Sequence, residues 1–238
     1  MYFTSIMANW LWVGFFGMLA GTALIYIIGS NLKVSAKYHV YLAMVITSIA
    51  TLAYYAMANH QGIFMIGGKE VFVTRYIDWV ITTPLLLMSL LLIALPALKS
   101  FGEVRQRIGL IGTIVFADVI MIVTGLLANV TSSTDSKRFW FLISCLGFFA
   151  VLYYMFTVVR KSAQSLGATV GRNYTTLLTF LTILWFFYPI VWLLGASGNN
   201  TIGLDAEVAL YTILDLLAKA VFGILLVMMV REMKKLDS

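Results

Sequence analysis

The stretch Glu207-Val-Ala-Leu-Tyr-Thr-Ile-Leu-Asp-Leu-Leu-Ala-Lys-Ala-Val-Phe-Gly-Ile-Leu-Leu-Val-Met-Met-Val230 decides the fold. A helix that crosses the hydrocarbon core of a bilayer needs about 20 predominantly apolar residues, and this stretch meets that length. It is apolar on all sides, so it has no face to offer water. Two charges interrupt it, Asp215 and Lys219, four residues apart and therefore one turn apart on a single helix face.

Working outward, six more apolar stretches precede it, near 8–29, 38–59, 72–98, 106–129, 139–159 and 174–195. Short polar breaks separate them: Asn31–Lys37, His60–Glu70, Lys99–Arg107, Val130–Arg138, Arg160–Asn173 and Ser197–Asp205. Seven spans consume the length, and residues 1–238 read as a single seven-helix transmembrane domain. The first positive charge is Lys33, after the first stretch, so 8–29 reads as a true span and not as a basic-led signal peptide.

Composition agrees. Of 238 residues, 61% are hydrophobic and 11% charged, against about 45–50% and about 25% in soluble domains. These values exclude a soluble enzyme or nucleic-acid-binding domain, and no enzymatic activity is expected. One cysteine, Cys145, rules out an internal disulfide, and two distant histidines, His39 and His60, argue against a metal centre.

The basic residues set an orientation. With the N-terminus outside, the cytoplasmic segments hold Lys33, Lys37, Lys99, Arg105, Arg107, Arg160, Lys161, Arg172, Arg231, Lys234 and Lys235, against Lys69, Lys137 and Arg138 outside. That bias predicts N-terminus out and C-terminus in. It also accounts for the net charge of +6 without a nucleic-acid partner. Trp10, Trp12, Trp140 and Trp192 near span ends suit an interfacial belt.

Five charges remain inside spans: Arg75, Asp78, Asp118, Asp215 and Lys219. Each costs about 2.5–3.5 kcal/mol at the centre of a membrane helix, so such residues are rare and usually functional. Arg75, Asp78, Thr82 and Ser89 share one face of the third span. At about 1.5 Å per residue, Asp78 to Ser89 covers about 16 Å, half the hydrocarbon thickness. A structural reading pairs Lys219 with Asp215 merely to hold helices together. The functional reading is that a lysine out of water is a good amine nucleophile, the usual precursor of a Schiff base. An iminium there plus Arg75 would balance Asp78 and Asp215. Tyr76, Trp79 and Thr83 flank the third-span carboxylate, and Trp185, Tyr188, Pro189 and Trp192 form a stripe on the sixth span. One aromatic stripe is ordinary packing; two beside a buried amine predict a pocket for an elongated apolar ligand.

These residues resemble microbial rhodopsins. Arg75-Tyr-Ile-Asp-Trp-Val-Ile-Thr-Thr-Pro-Leu-Leu-Leu87 is similar to their third helix, Ala117-Asp-Val-Ile-Met-Ile-Val-Thr-Gly125 to the fourth helix of bacteriorhodopsin, Trp185-Phe-Phe-Tyr-Pro-Ile-Val-Trp192 to the sixth, and Asp215-Leu-Leu-Ala-Lys219 to the seventh. The resemblance implies all-trans retinal covalently attached to Lys219, with Asp78 as primary counterion and proton acceptor and Asp215 as second counterion. It implies an Arg75 that swings between the Schiff base and the outer side, and a Thr82 hydrogen-bonded to Asp78. Tyr76, Trp79, Thr83, Leu86, Met121, Trp185, Tyr188, Pro189, Trp192 and Ala218 would surround the retinal, with Asp118 near the far end of the polyene in a neutral interhelical hydrogen bond.

Departures from the family pattern refine this. The position of the cytoplasmic proton donor is Ser89, giving the code Asp-Thr-Ser. Sodium pumps (Asn-Asp-Gln) and chloride pumps are disfavoured by Asp78, and inward-pumping xenorhodopsins by Asp215 where they often carry proline. Ala218 stands where haloarchaeal sensory rhodopsins typically have threonine. The histidine that partners the counterion in proteorhodopsins falls at Ala53, beside Tyr54; His60 reads as a loop histidine. Of bacteriorhodopsin's outer glutamate pair, Glu207 aligns and its partner falls at Ser197. Phe141 fills the position that is glycine in members with a carotenoid antenna, so no such antenna is expected. Leu86 implies a green-absorbing pigment. The expected function is a light-driven outward proton pump in the cell membrane, its partners being the lipid bilayer, protons and a homo-oligomer, trimer or pentamer. The alternatives are a photosensory rhodopsin signalling through a partner protein, and an inward proton pump.

Overall fold

The computed structural model describes residues 3–95 and 101–236. Lys99, assigned to a polar break, lies outside the described residues, as do the side chains of Lys234 and Lys235. Seven helices are long and apolar enough to cross a membrane. They are α1 (Ser5–Gly29), α2 (Lys37–Ala58), α3 (Val73–Ala94), α4 (Phe101–Val130), α5 (Thr134–Tyr154, continuing through Met155–Val159 to Arg160–Ser165), α6 (Ala168–Leu194) and α7 (Gly203–Asp215, continuing through Leu216–Val221 to Phe222–Leu236). Sequential helices pack as neighbours, and α7 returns against α1 and α2 to close the bundle. The chain is a multi-pass membrane protein.

The helices outrun the apolar stretches. The break expected at Arg160–Asn173 shrinks to Leu166 and Gly167, and that at Val130–Arg138 to residues 131–133. A helix satisfies its backbone internally, so polar residues extend it beyond the hydrocarbon at no hydrogen-bonding cost. Ser133 caps α5 by accepting from the Ser136 N–H, and Gly167 turns the chain between α5 and α6 at φ +125°. An unforeseen hairpin, β1 (Ile63–Ile66) antiparallel to β2 (Lys69–Phe72), begins in the break His60–Glu70 and runs to the start of the third apolar stretch. Gly67 and Gly68 form its turn with φ of +59° and +80°, a backbone that side chains with a Cβ avoid.

The outward faces are apolar: Phe16, Leu52, Phe116, Leu142 and Leu146 are exposed, as expected of side chains that meet lipid. The most enclosed helices are α3 and α7, which carry four of the five intramembrane charges. Pro84 in α3 and Pro189 in α6 each leave a carbonyl one turn back without its helical donor. In α7 the ladder widens to a π-helical turn at Leu216–Val221, and Lys219 sits inside it. Such turns occur mostly as single bulges, often at functional sites. A second, at Met155–Val159 in α5, offers the Met155 carbonyl to the Tyr174 hydroxyl at 2.8 Å.

Candidate retinal site

The buried ions converge from α3 and α7. Lys219 is 2% exposed. Its Nζ donates to Asp78 Oδ2 in a close ion pair and lies 3.5 Å from Asp215 Oδ1. The structural pairing of Lys219 with Asp215 alone is thus incomplete, since the nearer carboxylate is on another helix.

Asp215 is held by three further helices. Trp79 Nε1 in α3 donates to Oδ1 at 3.1 Å, the Tyr188 hydroxyl in α6 to Oδ1 at 2.8 Å, and the Tyr54 hydroxyl in α2 to Oδ2 at 2.9 Å. Gly14 in α1 makes room for Tyr54: a Cβ there would run into its ring. Among the described residues, Asp78 Oδ1 accepts no hydrogen bond. The Thr82 hydroxyl donates to the Asp78 backbone carbonyl at 2.8 Å. Threonine in a helix commonly bonds one turn back in this way.

Arg75, 3% exposed, makes no ion pair with either aspartate among the described residues. Its guanidinium stacks between Phe72 and Tyr211, 4.8 Å from each ring centroid, where the negative π faces stabilise the cation. Glu207 is 1% exposed and accepts from the Ser197 hydroxyl at 2.5 Å and the Ser197 N–H at 3.0 Å. The two positions that align with an outer glutamate pair are therefore in contact, as serine and carboxylate. Gly195 leaves space for this carboxylate, which a Cβ would obstruct.

A cavity with about 800 Å³ free of protein atoms, its mouth included, opens beside Lys219. Tyr76, Trp79, Thr83 and Leu86 line it from α3, Met121 from α4, Phe141 from α5, Trp185, Tyr188, Pro189 and Trp192 from α6, and Ala218 and Lys219 from α7. Phe141 stacks on Trp192 at 4.7 Å with 22° between the rings. Trp192, 6% exposed, faces this cavity and not the interfacial belt. Asp118 does not line the wall. It stands behind it, fully buried, and accepts from Thr83 Oγ1 at 2.7 Å.

Several participants had weaker sequence signals. Ile122 and Gly125 on α4, Ser144, Cys145 and Phe148 on α5, and Tyr211 on α7 also line the cavity. Tyr211 repeats the Asp215 and Lys219 face one turn earlier, at the same spacing of four, and could have been found by it. Ser89 is buried and donates to the Leu85 carbonyl at 3.0 Å. His60 is an exposed loop residue at φ +60°, packed on Phe3 with centroids 3.9 Å apart.

Residues 5–233 match the family described as bacteriorhodopsin-like protein. The chain belongs to the bacteriorhodopsin-like family. Members of this microbial rhodopsin family bind retinal. Archaerhodopsin-3 of Halorubrum sodomense is 34% identical over 223 residues, covering 91% of this chain and 82% of that protein. The thermophilic rhodopsin of Rubrobacter xylanophilus superposes with a TM-score of 0.89 at 38% identity, over 94% of this chain and 96% of the other. A light-driven proton pump of Coccomyxa subellipsoidea gives 0.84 at 33% identity, over 94% and 97%.

The residues of this microbial rhodopsin fit retinal. The cavity is walled by aromatic and aliphatic side chains and ends on one amine, Lys219, with two carboxylates beside it. An amine so placed can condense with an aldehyde, releasing water, and the carboxylates balance the resulting cation.

Proposed function

We propose that this rhodopsin is a light-driven outward proton pump, with its N-terminus outside and all-trans retinal attached to Lys219. The observation that carries the reading is the placement of Lys219 at the end of the apolar cavity, nearer to Asp78 than to the strongly hydrogen-bonded Asp215. Retinal bound there as a protonated Schiff base supplies light-driven isomerisation, which upsets the charge balance at Nζ.

The residues divide the remaining work. Asp78 accepts the proton; among the described residues its Oδ1 accepts no hydrogen bond. Asp215 is the fixed counterion, its carboxylate held by three side-chain donors. Arg75 lies between Tyr211 and Phe72, on the way toward Glu207, and its charge moves in answer to the charge on Asp78. The Ser197–Glu207 pair is the exit region. On the opposite side Ser89 offers no acid, so reprotonation draws on water. The whole of 1–238 acts as one retinal-binding domain in a homo-oligomer, and Phe141 on Trp192 closes the side where a carotenoid antenna would lie. The similarity to light-driven proton pumps from Coccomyxa subellipsoidea and Leptosphaeria maculans supports the transport reading.

The test is pH recording from illuminated cells that express the protein with retinal. Acidification of the medium, abolished by a protonophore, is the expected result. Alkalinisation would indicate an inward pump. A photocycle with no pH change would indicate a sensor.

A further inference from the structure

Lys69 opens β2, on the same side of the membrane as the N-terminus and the α6–α7 corner. Its Nζ donates to Asn129 Oδ1 at 2.8 Å, on the last turn of α4, and to the Ser197 carbonyl at 3.2 Å, beyond the end of α6. Each acceptor passes the contact onward. Ser197 holds the buried Glu207 through its hydroxyl and N–H. Asn129 Nδ2 donates to the Tyr76 hydroxyl at 3.3 Å, which also accepts from Trp192 Nε1 at 3.2 Å. Tyr76 and Trp192 both line the cavity. One ammonium thus stands one residue away from the Glu207 carboxylate and two away from the Lys219 cavity.

A plain solvated surface lysine does not fit this geometry. Lys69 is half-buried and bonded to two separate elements. The charged groups that face it are Lys137 at the start of α5 and Glu207 in α7. Burial and the like charge of Lys137 bring its pKa down from the ordinary lysine value to about 8, against a smaller opposing pull from Glu207.

We propose that Lys69 is a positioning residue for the proton exit on the hairpin side, setting the Ser197–Glu207 pair through one hydrogen bond and the Tyr76–Trp192 wall through the other. It acts through Ser197 and Asn129 and touches neither the cofactor nor the transported proton. The proposal rests on the outward-pump reading. Charge-assisted hydrogen bonds are about twice as strong as neutral ones, so deprotonation of Lys69 weakens both branches together. Exit and colour should therefore change over the same pH range.

The experiment uses the retinal-loaded protein in lipid nanodiscs. Dark absorption spectra are titrated from about pH 6 to about pH 10.5, and light-triggered proton release is timed with a pH-sensitive dye. The unmodified protein should show a spectral transition with a midpoint near 8, with slower release above it. Lys69→Met should lose the transition and release slowly at every pH. Lys69→Arg keeps its charge across the whole titrated range; it should release normally at neutral pH and show no transition near 8. A Lys69→Met protein with the unmodified transition and release would overturn the proposal. If Lys69→Met fails to fold, Asn129→Leu cuts one branch: it should lose the spectral transition and keep normal release, and an unchanged transition would overturn the proposal equally. The dark titration does not depend on transport. If the outward-pump reading is wrong, external acidification is missing from the unmodified protein while the spectral effect of Lys69 persists.

Discussion

Asp78 and Asp215 share one ammonium but are held unequally by the protein. Asp215 receives three side-chain hydrogen bonds from Tyr54, Trp79 and Tyr188. Asp78 has Lys219 on one oxygen and no partner among the described residues on the other. In the proposed pump, a proton leaving Lys219 Nζ would meet at Asp78 a carboxylate with fewer competing donors than Asp215 has.

That asymmetry predicts the effect of neutralising Asp78. Asp78→Asn should be red-shifted at neutral pH, because the cation at Lys219 loses its nearest counterion, and should stop transporting. Acidifying the unmodified protein should produce the same colour by protonating the carboxylate. Light-driven acidification that survives in Asp78→Asn would remove Asp78 as acceptor.

Lys219→Ala should bind no retinal covalently and lose the visible band. The variant leaves Asp78 and Asp215 buried together without a cation, so retention of the fold is best checked after adding a second change, Asp78→Asn. A visible, acid-stable adduct in Lys219→Ala would place the attachment elsewhere.

Tyr54→Phe removes one donor from Asp215 and leaves Oδ2 buried without that bond. A loss of about 1–3 kcal/mol is expected, the cost of an unmade buried hydrogen bond. Faster thermal bleaching of the pigment is the measurement. Bleaching at the unmodified rate would mean that water replaces the phenol without cost.

Ser89 has no proton to give at neutral pH. Recovery of the dark absorbance after a flash should slow as pH rises, about tenfold per unit if one bulk proton enters in the limiting step. Ser89→Asp should flatten this dependence by supplying a local acid. The bond from Ser89 to the Leu85 carbonyl favours a packing role in the dark, and a fast, pH-independent recovery in the unmodified protein would point to an internal donor elsewhere.

The spans and the residues of the site were legible because hydrocarbon penalises charge so heavily. Arg75, Asp78, Asp118, Asp215 and Lys219 stand out against an apolar background, and helical spacing places them on faces. Tyr54 was noticed only beside Ala53, since a tyrosine in a membrane helix has many ordinary roles. The chain from Lys69 through Asn129 to Tyr76 was illegible for another reason. Its members come from a hairpin and two helices, and no local spacing joins them. The Gly67-Gly68 pair is a readable turn signal inside the break His60–Glu70. The π turns in α5 and α7 leave no mark in composition, because their residues are as apolar as their neighbours.

The π turn that carries Lys219 has a mechanical consequence. A regular helix resists rotation of any one residue, because each carbonyl is tied to the N–H four residues on. Between Leu216 and Val221 that tie is already loosened by one residue. The turn that carries Lys219 is therefore the compliant link in an otherwise stiff rod. Strain delivered to Lys219 can be taken up as a local change of register before it reaches the Asp215 turn below or the Phe222 turn above. Deleting one residue within Leu216–Val221 would restore the regular ladder, and the rod would then pass that strain directly to α7 as a whole.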